Sequence, residues 1–304
     1  MSPHVLFRPP GEADSLIIRV ADGCPWNRCS FCGMYASVRY RACSARDIEE
    51  AIGSAAADEP NANRIFLADG DVMALPADQL GSILKELNGR FPKLARVGVY
   101  ANGSSIATKT DDELRSFAAS KLQTLYMGLE SGDDLVLAAM NKRETAGEMV
   151  DAAIRAQACG LRMSVMILIG LGGREGSAPH AAATAAALNT MQPRLLSALR
   201  VTAVPGTALW QSLQRGTFTE LTEHEAVAEL RAFIAALDLD RTVFRANHAS
   251  NVVPLEGRFP KDKPRLLAEL DQLLESAELE GVGGTSQPNV VTLWASRLMR
   301  AARL

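Results

Sequence analysis

The residues with the clearest chemical potential are three closely spaced cysteines, Cys24, Cys29 and Cys32, in the pattern C-x4-C-x2-C. Thiolates grouped in this way bind soft metal ions or iron–sulfur clusters. A structural zinc site needs four nitrogen or sulfur ligands, and neither the distant Cys43 and Cys159 nor any histidine has the usual spacing to supply the fourth. A cluster held by three cysteines leaves one iron open. The pattern therefore favours an iron–sulfur cluster over zinc and over a chance grouping.

The cysteines follow the first of several short strand-like runs, which alternate with helical patterns as far as about residue 200. This alternation predicts βα units around a parallel sheet. Ser44 and Thr110 precede helical patterns as N-cap residues do, and Gly160 follows one as a C-cap glycine does. The predicted strands are 16–20, 64–68, 96–101, 124–129, 162–169 and 197–204. The predicted helices between them are 45–57, 77–89, 111–120, 144–158 and 180–191.

The last third of the chain has a different pattern. After Pro205 and Gly206, helical periodicity predicts helices over 222–237, 262–279 and 290–302, with one strand-like run at 241–246. We therefore expect a barrel domain over residues 1–209, with a short N-terminal lead-in, and a mostly helical region over 210–304 that covers the mouth of the barrel.

Composition excludes several classes of protein. With 304 residues, 47% hydrophobic and 22% charged, the chain is a folded globular protein rather than a disordered or fibrous one. The net charge of −3 includes no long basic run, so nothing supports nucleic-acid binding. The sequence contains no apolar stretch of about 18 residues and no secretory signal, so we expect a cytoplasmic protein without a membrane segment.

The cysteine motif resembles that of the radical S-adenosylmethionine (SAM) superfamily, in which three cysteines after the first strand of a partial (β/α)6 barrel ligate a [4Fe-4S] cluster. The usual spacing there is C-x3-C-x2-C, so this chain has one additional residue between Cys24 and Cys29. An aromatic residue before the last cysteine, here Phe31, is typical of the superfamily. The resemblance extends over about residues 16–209. It implies an α/β fold, a partial TIM-type barrel with a mostly helical C-terminal extension.

Two further motifs appear in the expected order. Ala68-Asp69-Gly70-Asp71 stands where the superfamily has a Gly-Gly-Glu-type motif that receives the SAM ammonium, although it is also typical of a strand-end turn. The run from Gly128 to Gly132 resembles the Gly-Leu-Glu-Ser-Gly signature of one branch, in which the glutamate, here Glu130, binds the ribose hydroxyls. That branch holds the Elongator catalytic subunit, the tRNA methylthiotransferases and oxygen-independent coproporphyrinogen oxidase.

The resemblance also implies where the cofactor lies. The run at 164–173 stands where adenine packs in the superfamily, although a buried strand followed by a glycine turn explains it equally. Phe31 is also explained by packing in the core rather than against the cofactor. Ser164 and Arg174 are equally explained by a role in the core or on the surface. The implied SAM-binding residues are Phe31, Gly33, Asp69, Gly70, Asp71, Glu130, Ser164, Leu168 and Arg174.

Polar residues near the predicted strand ends are candidates for binding the substrate. Some follow the third and sixth strands, and others form a cluster after the strand-like run at 241–246. Turn formation and helix capping are the alternative for this cluster. Ser104, two residues after Asn102, is a further candidate. The other candidates are Tyr100, Asn102, Arg200, Arg245, Asn247, His248 and Asn251.

The function implied by the resemblance is reductive cleavage of SAM by a [4Fe-4S] cluster, which starts radical chemistry on a substrate. No appendage typical of the tRNA-modifying relatives is recognisable, so we expect a small-molecule substrate and an external one-electron donor of the flavodoxin or ferredoxin type. One alternative is cleavage of a different C–S bond, giving a 3-amino-3-carboxypropyl radical for group transfer. The alternative to an enzyme is a binding module that holds zinc or a cluster and catalyses no reaction.

Overall fold

A computed structural model describes residues 6–275, and its central feature is an eight-stranded sheet. The strands are β1 (Leu16–Arg19), β2 (Ala21–Asp22), β3 (Arg41–Ala42), β4 (Arg64–Ala68), β5 (Arg96–Tyr100), β6 (Leu122–Glu130), β7 (Arg162–Ile169), β8 (Leu195–Arg200), β9 (Val243–Arg245) and β10 (Glu256–Arg258). The sheet order is β1-β4-β5-β6-β7-β8-β9-β10, and β2 pairs with β3 separately. Within the eight-stranded sheet all neighbours are parallel except β9 and β10, and the separate β2–β3 pair is antiparallel. The partial (β/α)6 barrel is confirmed.

Helices follow the strands as the sequence predicts. Ser44 and Thr110 are N-caps that accept backbone N–H groups, and Gly160 has a φ of 93° just after a helix end, as its predicted C-cap role requires. The helices are α1 (Ala45–Asp58), α2 (Ala77–Arg90), α3 (Gly103–Ala107), α4 (Asp111–Ala119), α5 (Asp134–Ala139), α6 (Ala146–Ala158), α7 (Gly173–Met191), α8 (Ala208–Gln214), α9 (Glu223–Ala236) and α10 (Lys263–Glu275).

The main apolar core lies between the outer face of the sheet and the helices. Alternate strand residues such as Ile65, Leu67 and Val165 pack there against Leu84 and Phe233. The opposite, concave face carries Phe66, Tyr100 and Tyr126, whose rings meet edge to face. The period-two alternation of the strands therefore separates a packed outer core from an aromatic interior.

Two elements differ clearly from the sequence-based expectation. β8 ends at Arg200 rather than at residue 204, and α7 begins at Gly173, seven positions before the predicted start at residue 180. α7 includes Pro179, so its packing outweighs the one backbone hydrogen bond that proline cannot make.

The region after residue 209 contributes to the same sheet. β9 pairs with β8 and β10 pairs with β9, so two strands as well as helices follow the boundary predicted at residue 209. The division into two domains and the covering of the barrel mouth stay predictions, and the helix predicted at 290–302 lies outside the described residues. Within residues 6–275, no helix is long and apolar enough to cross a membrane.

Candidate metal centre and cofactor site

The three cysteines of the motif come together in the loop that follows β2. Cys24, Cys29 and Cys32 are half-buried free thiols, and, besides burial, the charge of Cys24 raises the pKa of both Cys29 and Cys32. Burial raises the pKa of all three, that of Cys29 to about 12, whereas the cationic Lys142 lowers them. Among residues 6–275, no three histidine, cysteine or acidic side chains lie close enough to share a single metal ion. The chemistry of this donor set, three thiols of one loop that all interact with the charge of Lys142, fits an iron–sulfur cluster.

The extra residue of the C-x4-C spacing is accommodated in a local turn. Asn27 has a φ of 44°, a left-handed conformation that asparagine tolerates better than most residues. Its side-chain Nδ2 donates to the Tyr35 carbonyl at 2.7 Å and to the Val38 carbonyl at 3.3 Å. The longer loop is therefore fixed by hydrogen bonds to the segment that follows the cysteines.

The motif after β4 packs directly against the cysteine loop. A Cβ atom on Gly70 would lie 2.8 Å from the Gly23 carbonyl oxygen and 2.9 Å from the Cys24 Cβ, so only glycine fits there. The buried Asp69 accepts a hydrogen bond from the Tyr35 hydroxyl, which extends from the same loop. This glycine therefore permits close approach of two chain segments.

Asp71 is a buried carboxylate held by the start of α3. It accepts hydrogen bonds from Asn102 Nδ2 at 2.9 Å and from Ser105 Oγ at 2.9 Å. Burial raises its pKa to about 6 despite these two hydrogen bonds, and the nearby charge of Glu144 adds to the shift. The side chain of Asn102, which is predicted to bind the substrate, therefore forms a hydrogen bond with Asp71.

Glu130 ends β6 and has a φ of 63°. Its buried carboxylate lies 3.6 Å from Lys142 Nζ, which donates a hydrogen bond to the Gly128 carbonyl at 2.7 Å. Burial raises the pKa of Glu130, and Lys142 opposes this shift. Burial also disfavours the charge of Lys142, but the acidic groups around it, Glu130 first and Cys29 next, raise its pKa overall. Sequence reasoning missed Lys142, because nothing distinguishes it from other lysines until the fold places it here.

Cys24, Cys29, Asp71 and Lys142 line one pocket between the cysteine loop, the ends of β4 and β5, and the segment after α5. The pocket is open to solvent on one side and has about 320 Å³ of empty space. Thiol, carboxyl, amide and ammonium groups all face it. Its lining consists of Cys24, Pro25, Trp26, Cys29, Asp71, Asn102, Ser104, Lys142, Arg143 and Glu144.

An apolar surface adjoins the other side of the cysteine loop. Phe31 and Leu168 both pack on a small cluster that includes Leu171 and Leu209. Gly33 lies against Val204, since a Cβ there would come within 3.3 Å of its side chain. The fold therefore brings Phe31, Gly33 and Leu168 to the same region. Ser164 is buried on β7, beside Tyr126 in the sheet register.

Several candidates have other partners. Arg174 forms a half-exposed ion pair with Glu225 at 2.9 Å. The Arg200 guanidinium donates to the Leu221 carbonyl at 2.5 Å. Asn251 donates to two backbone carbonyls at 2.8 Å, and these contacts account for its burial. The role of these three residues toward a ligand stays a prediction.

The polar cluster after β9 forms a local turn. His248 Nδ1 lies 2.9 Å from Ser250 Oγ and accepts the Ser250 N–H at 3.1 Å. Arg245 on β9 and Asn247 after it are exposed. None of the three lines the pocket beside the cysteines. Their role toward substrate stays a prediction, as does that of Tyr100 on the concave face.

A buried hydrogen-bond network joins the ends of β6 and β7. His180 Nδ1 lies 2.7 Å from Ser131 Oγ, and its Nε2 lies 3.1 Å from the Leu168 carbonyl oxygen. Glu229 accepts the Gly170 N–H at 2.6 Å and lies 3.7 Å from His180 Nε2. Burial lowers the pKa of His180, which favours the neutral ring. Sequence reasoning did not assign His180 to the site.

Solved structures with the same fold support this description. The radical SAM methyltransferase TsrM from Kitasatospora setae aligns with a TM-score of 0.54 and 17% identity over 64% of this chain and 38% of its own. Elp3 from Methanocaldococcus infernus aligns with a TM-score of 0.52 and 11% identity over 87% and 63%. Coproporphyrinogen III oxidase, HemN, from Escherichia coli, described as a radical SAM enzyme, aligns with a TM-score of 0.54 and 14% identity over 73% and 52%.

These likenesses show the fold. The chain spans between 38% and 63% of the length of the three structures. A search of curated proteins finds no match. The sequence profile of the Radical SAM superfamily matches residues 18–180, a stretch that includes the three cysteines, Asp71 and Glu130. This match extends over more than half of the chain, which therefore belongs to the radical SAM superfamily.

Proposed function

We propose that this protein cleaves SAM reductively and starts radical chemistry on a small-molecule substrate. The observation that carries the proposal is that Cys24 and Cys29 line one pocket with the buried Asp71 and with Lys142, whose Nζ lies 3.6 Å from the buried Glu130 carboxylate. The superfamily uses a [4Fe-4S] cluster and SAM. When bound, the cluster supplies the single electron that divides SAM into methionine and a 5'-deoxyadenosyl radical.

In this proposal the residues of the chain bind and orient SAM. Cys24, Cys29 and Cys32 hold the cluster. Asp71, fixed by Asn102 and Ser105, accepts the ammonium group, since its ionised form is an anion in a buried site. Asp69 and Gly70 fix the same loop against the cysteines.

The other end of SAM is assigned to β6 and β7. Glu130 accepts hydrogen bonds from the ribose hydroxyls, and Lys142 compensates the charge of that carboxylate. Phe31, Gly33 and Leu168 form the apolar surface for adenine, with Ser164 lower on the concave face.

The concave face of the sheet is the proposed substrate chamber. Phe66 and Tyr126 are buried in an aromatic cluster of this face, and the half-buried Tyr100 packs on the same cluster. In this proposal the substrate lies between this cluster and the cysteines, where aromatic side chains exclude water and pack against a ligand. Arg245, Asn247 and His248 stay candidates for contacts with its polar groups.

The test uses anaerobically purified, iron–sulfur-reconstituted protein that is reduced with dithionite and mixed with SAM. Mass spectrometry then identifies the nucleoside product. We expect 5'-deoxyadenosine, and we expect alanine variants of Cys24, Cys29 and Cys32 to lose both iron and cleavage, whereas a Cys159→Ala control keeps both.

The other products decide between the alternatives. Formation of 5'-methylthioadenosine would replace the proposed cleavage by 3-amino-3-carboxypropyl chemistry. If zinc is the bound metal and SAM stays intact, the protein is a binding module and the proposed enzyme function is wrong.

A further inference from the structure

The chain around the cysteines has an unusual charge. Residues 23–46 contain four arginines and no aspartate or glutamate, although the whole chain has a net charge of −3. Arg41 pairs with Asp22, and Arg46 pairs with Glu50. Arg28 and Arg39 are exposed and form no ion pair within residues 6–275. The outer surface of the cysteine loop therefore carries uncompensated positive charge.

Two arginines converge on one tryptophan of this loop. The guanidinium carbons of Arg28 and Arg143 lie 5.5 Å and 5.8 Å from the centroid of Trp26, within the range of cation–π attraction. Both arginines are exposed, and in the described part of the chain neither has an acidic partner. We call Trp26, Arg28 and Arg143 the Trp26 patch.

Hydrogen bonds between two loops hold this patch in place. The Trp26 indole N–H donates to the Asn141 carbonyl at 2.8 Å, and Asn141 Nδ2 donates to the Arg28 carbonyl at 2.8 Å. Ser30 N donates to the Met140 carbonyl at 2.8 Å. An ordered surface of this kind loses little conformational entropy when a partner binds.

The Trp26 patch lies next to the cluster-binding thiols. Trp26 and Arg143 line the same pocket as Cys24 and Cys29. Electron transfer between proteins slows steeply with the distance between the redox centres. A protein that delivers an electron to this centre therefore has to dock on the surface nearest the thiols, and that surface is basic.

We propose that the Trp26 patch is the docking surface for an acidic protein that carries one electron. The inference rests on the proposed function, because the electron that leaves the donor reduces the cluster. One electron passes from donor to cluster, and no bond forms or breaks in this step. An anionic partner suits the uncompensated arginines. A nucleic acid is disfavoured, because the chain as a whole is acidic, with a net charge of −3.

The test measures cluster reduction without SAM. Reconstituted protein is mixed with reduced flavodoxin in a stopped-flow instrument, and bleaching of the cluster absorbance gives the rate. Photoreduced deazaflavin, a small reductant that needs no docking surface, gives the reference rate. For Arg28→Glu at low ionic strength, we expect the flavodoxin rate to fall about tenfold or more, and the deazaflavin rate to stay within about twofold. We expect the double variant Arg28→Glu/Arg143→Glu to lower the ratio of the flavodoxin rate to the deazaflavin rate further.

The matched control reverses two exposed arginines elsewhere. Arg90→Glu/Arg115→Glu makes the same change in net charge on α2 and α4, and its ratio of rates stays at the wild-type value. If this control and the patch variants slow flavodoxin equally, only net charge matters and the proposal is wrong. If a glutamate variant loses iron, Arg28→Gln and Arg143→Gln carry the same comparison with a milder change.

Two further outcomes are distinct. Arg28→Glu could leave the rate of reduction by flavodoxin unchanged and abolish binding of single-stranded RNA. This outcome would overturn the docking proposal in favour of a nucleic-acid surface. If wild-type protein reduced by deazaflavin does not cleave SAM, the proposed function is contradicted. The docking proposal is tested separately, because its comparison measures only the rate of cluster reduction.

Discussion

Asp71 is a residue whose burial has a calculable consequence for stability. Its pKa is raised from 3.8 to about 6, so between these values the folded protein binds a proton that the unfolded chain lacks. Stability therefore falls as the pH rises through this window. Above pH 6 the ionised carboxylate costs roughly 3 kcal/mol of folding free energy, since each pKa unit corresponds to about 1.36 kcal/mol. A cost of this kind is typical of functional sites.

We expect Asp71→Asn to make the protein without cofactors more stable at pH 7.5, by about 1–3 kcal/mol, and to weaken SAM binding about tenfold or more. The gain in stability shrinks below pH 6 and vanishes near pH 4, because wild-type Asp71 is then protonated when folded. Urea unfolding across this pH range measures the first effect, and equilibrium dialysis of the reconstituted protein measures the second. The exposed Asp112→Asn is the control, and a less stable Asp71→Asn at pH 7.5 would contradict the argument.

Glu130 permits a complementary test. Glu130→Gln keeps the shape of the side chain but removes a charged acceptor, and such hydrogen bonds contribute about 1.5–3 kcal/mol. We expect SAM affinity to fall roughly 10- to 100-fold while iron content stays unchanged. Glu113→Gln, which alters a helix-capping glutamate on α4, should leave SAM affinity as it is. Equal affinities for wild type and Glu130→Gln would remove the ribose role.

The compact motifs of the sequence predict candidate residues that the fold places at neighbouring strand ends, and their binding roles stay predictions. The three cysteines, Asp69 to Asp71 and Glu130 lie at strand ends, and the parallel sheet brings strand ends together. No motif marks Lys142, which follows α5, or His180, which lies within α7, and both reach this region only through packing. Arg200 and Asn251 donate to backbone carbonyls, and their predicted contacts with substrate stay predictions.

At the scale of elements, prediction succeeded where several local signals agree. β4 and β7 match their predicted bounds, because buried apolar runs and polar flanks define both ends. β9 lies within the strand-like run predicted at 241–246. β10 has three residues, too few for a periodic pattern, and its pairing depends on the sheet edge that β9 provides. The short helices α3, α5 and α8 are likewise too short for a periodic pattern and are not among the predicted elements.

Four elements meet at His180, and this junction gives a prediction. The imidazole on α7 contacts Ser131 after β6 and the Leu168 carbonyl of β7, beside Glu229 of α9. His180→Leu leaves buried polar groups without partners, at about 1–3 kcal/mol each. We expect a loss of about 2–4 kcal/mol of unfolding free energy and weaker SAM binding.

Chemical denaturation and SAM dialysis measure these two effects of His180→Leu. The exposed His248→Leu serves as the matched control and should change stability by less than about 0.5 kcal/mol. A His180→Leu protein as stable as this control would show that the junction does not depend on the imidazole.

At the scale of the whole molecule, the N-terminal lead-in anchors the end of the barrel opposite the cysteines. Glu12, in a 3-10 helix over Pro10–Glu12, is 1% exposed. It accepts hydrogen bonds from Ser15 and from the Tyr126 hydroxyl at 2.5 Å, and it pairs with Arg96 at 3.2 Å. One carboxylate therefore joins the lead-in to β5 and β6.

We expect Glu12→Ala to cost about 3 kcal/mol or more, because the substitution leaves a partly buried arginine and two hydroxyls without their acceptor. Iron content after reconstitution should not change, since the cysteines lie at the other end of the strands. Urea denaturation and iron analysis check both statements, with the exposed Asp14→Ala as control. Loss of iron in Glu12→Ala would mean that the two ends of the barrel are coupled.

The position of Trp26 also gives the molecule an optical reporter. Its indole lies in the cysteine loop itself, whereas Trp210 packs with the apolar cluster around Leu209. An iron–sulfur cluster absorbs in the near ultraviolet and quenches the emission of an adjacent indole. Assembly of the cluster, and its destruction by oxygen, can therefore be followed as loss and recovery of fluorescence in the unlabelled protein, with Trp26→Phe as the background.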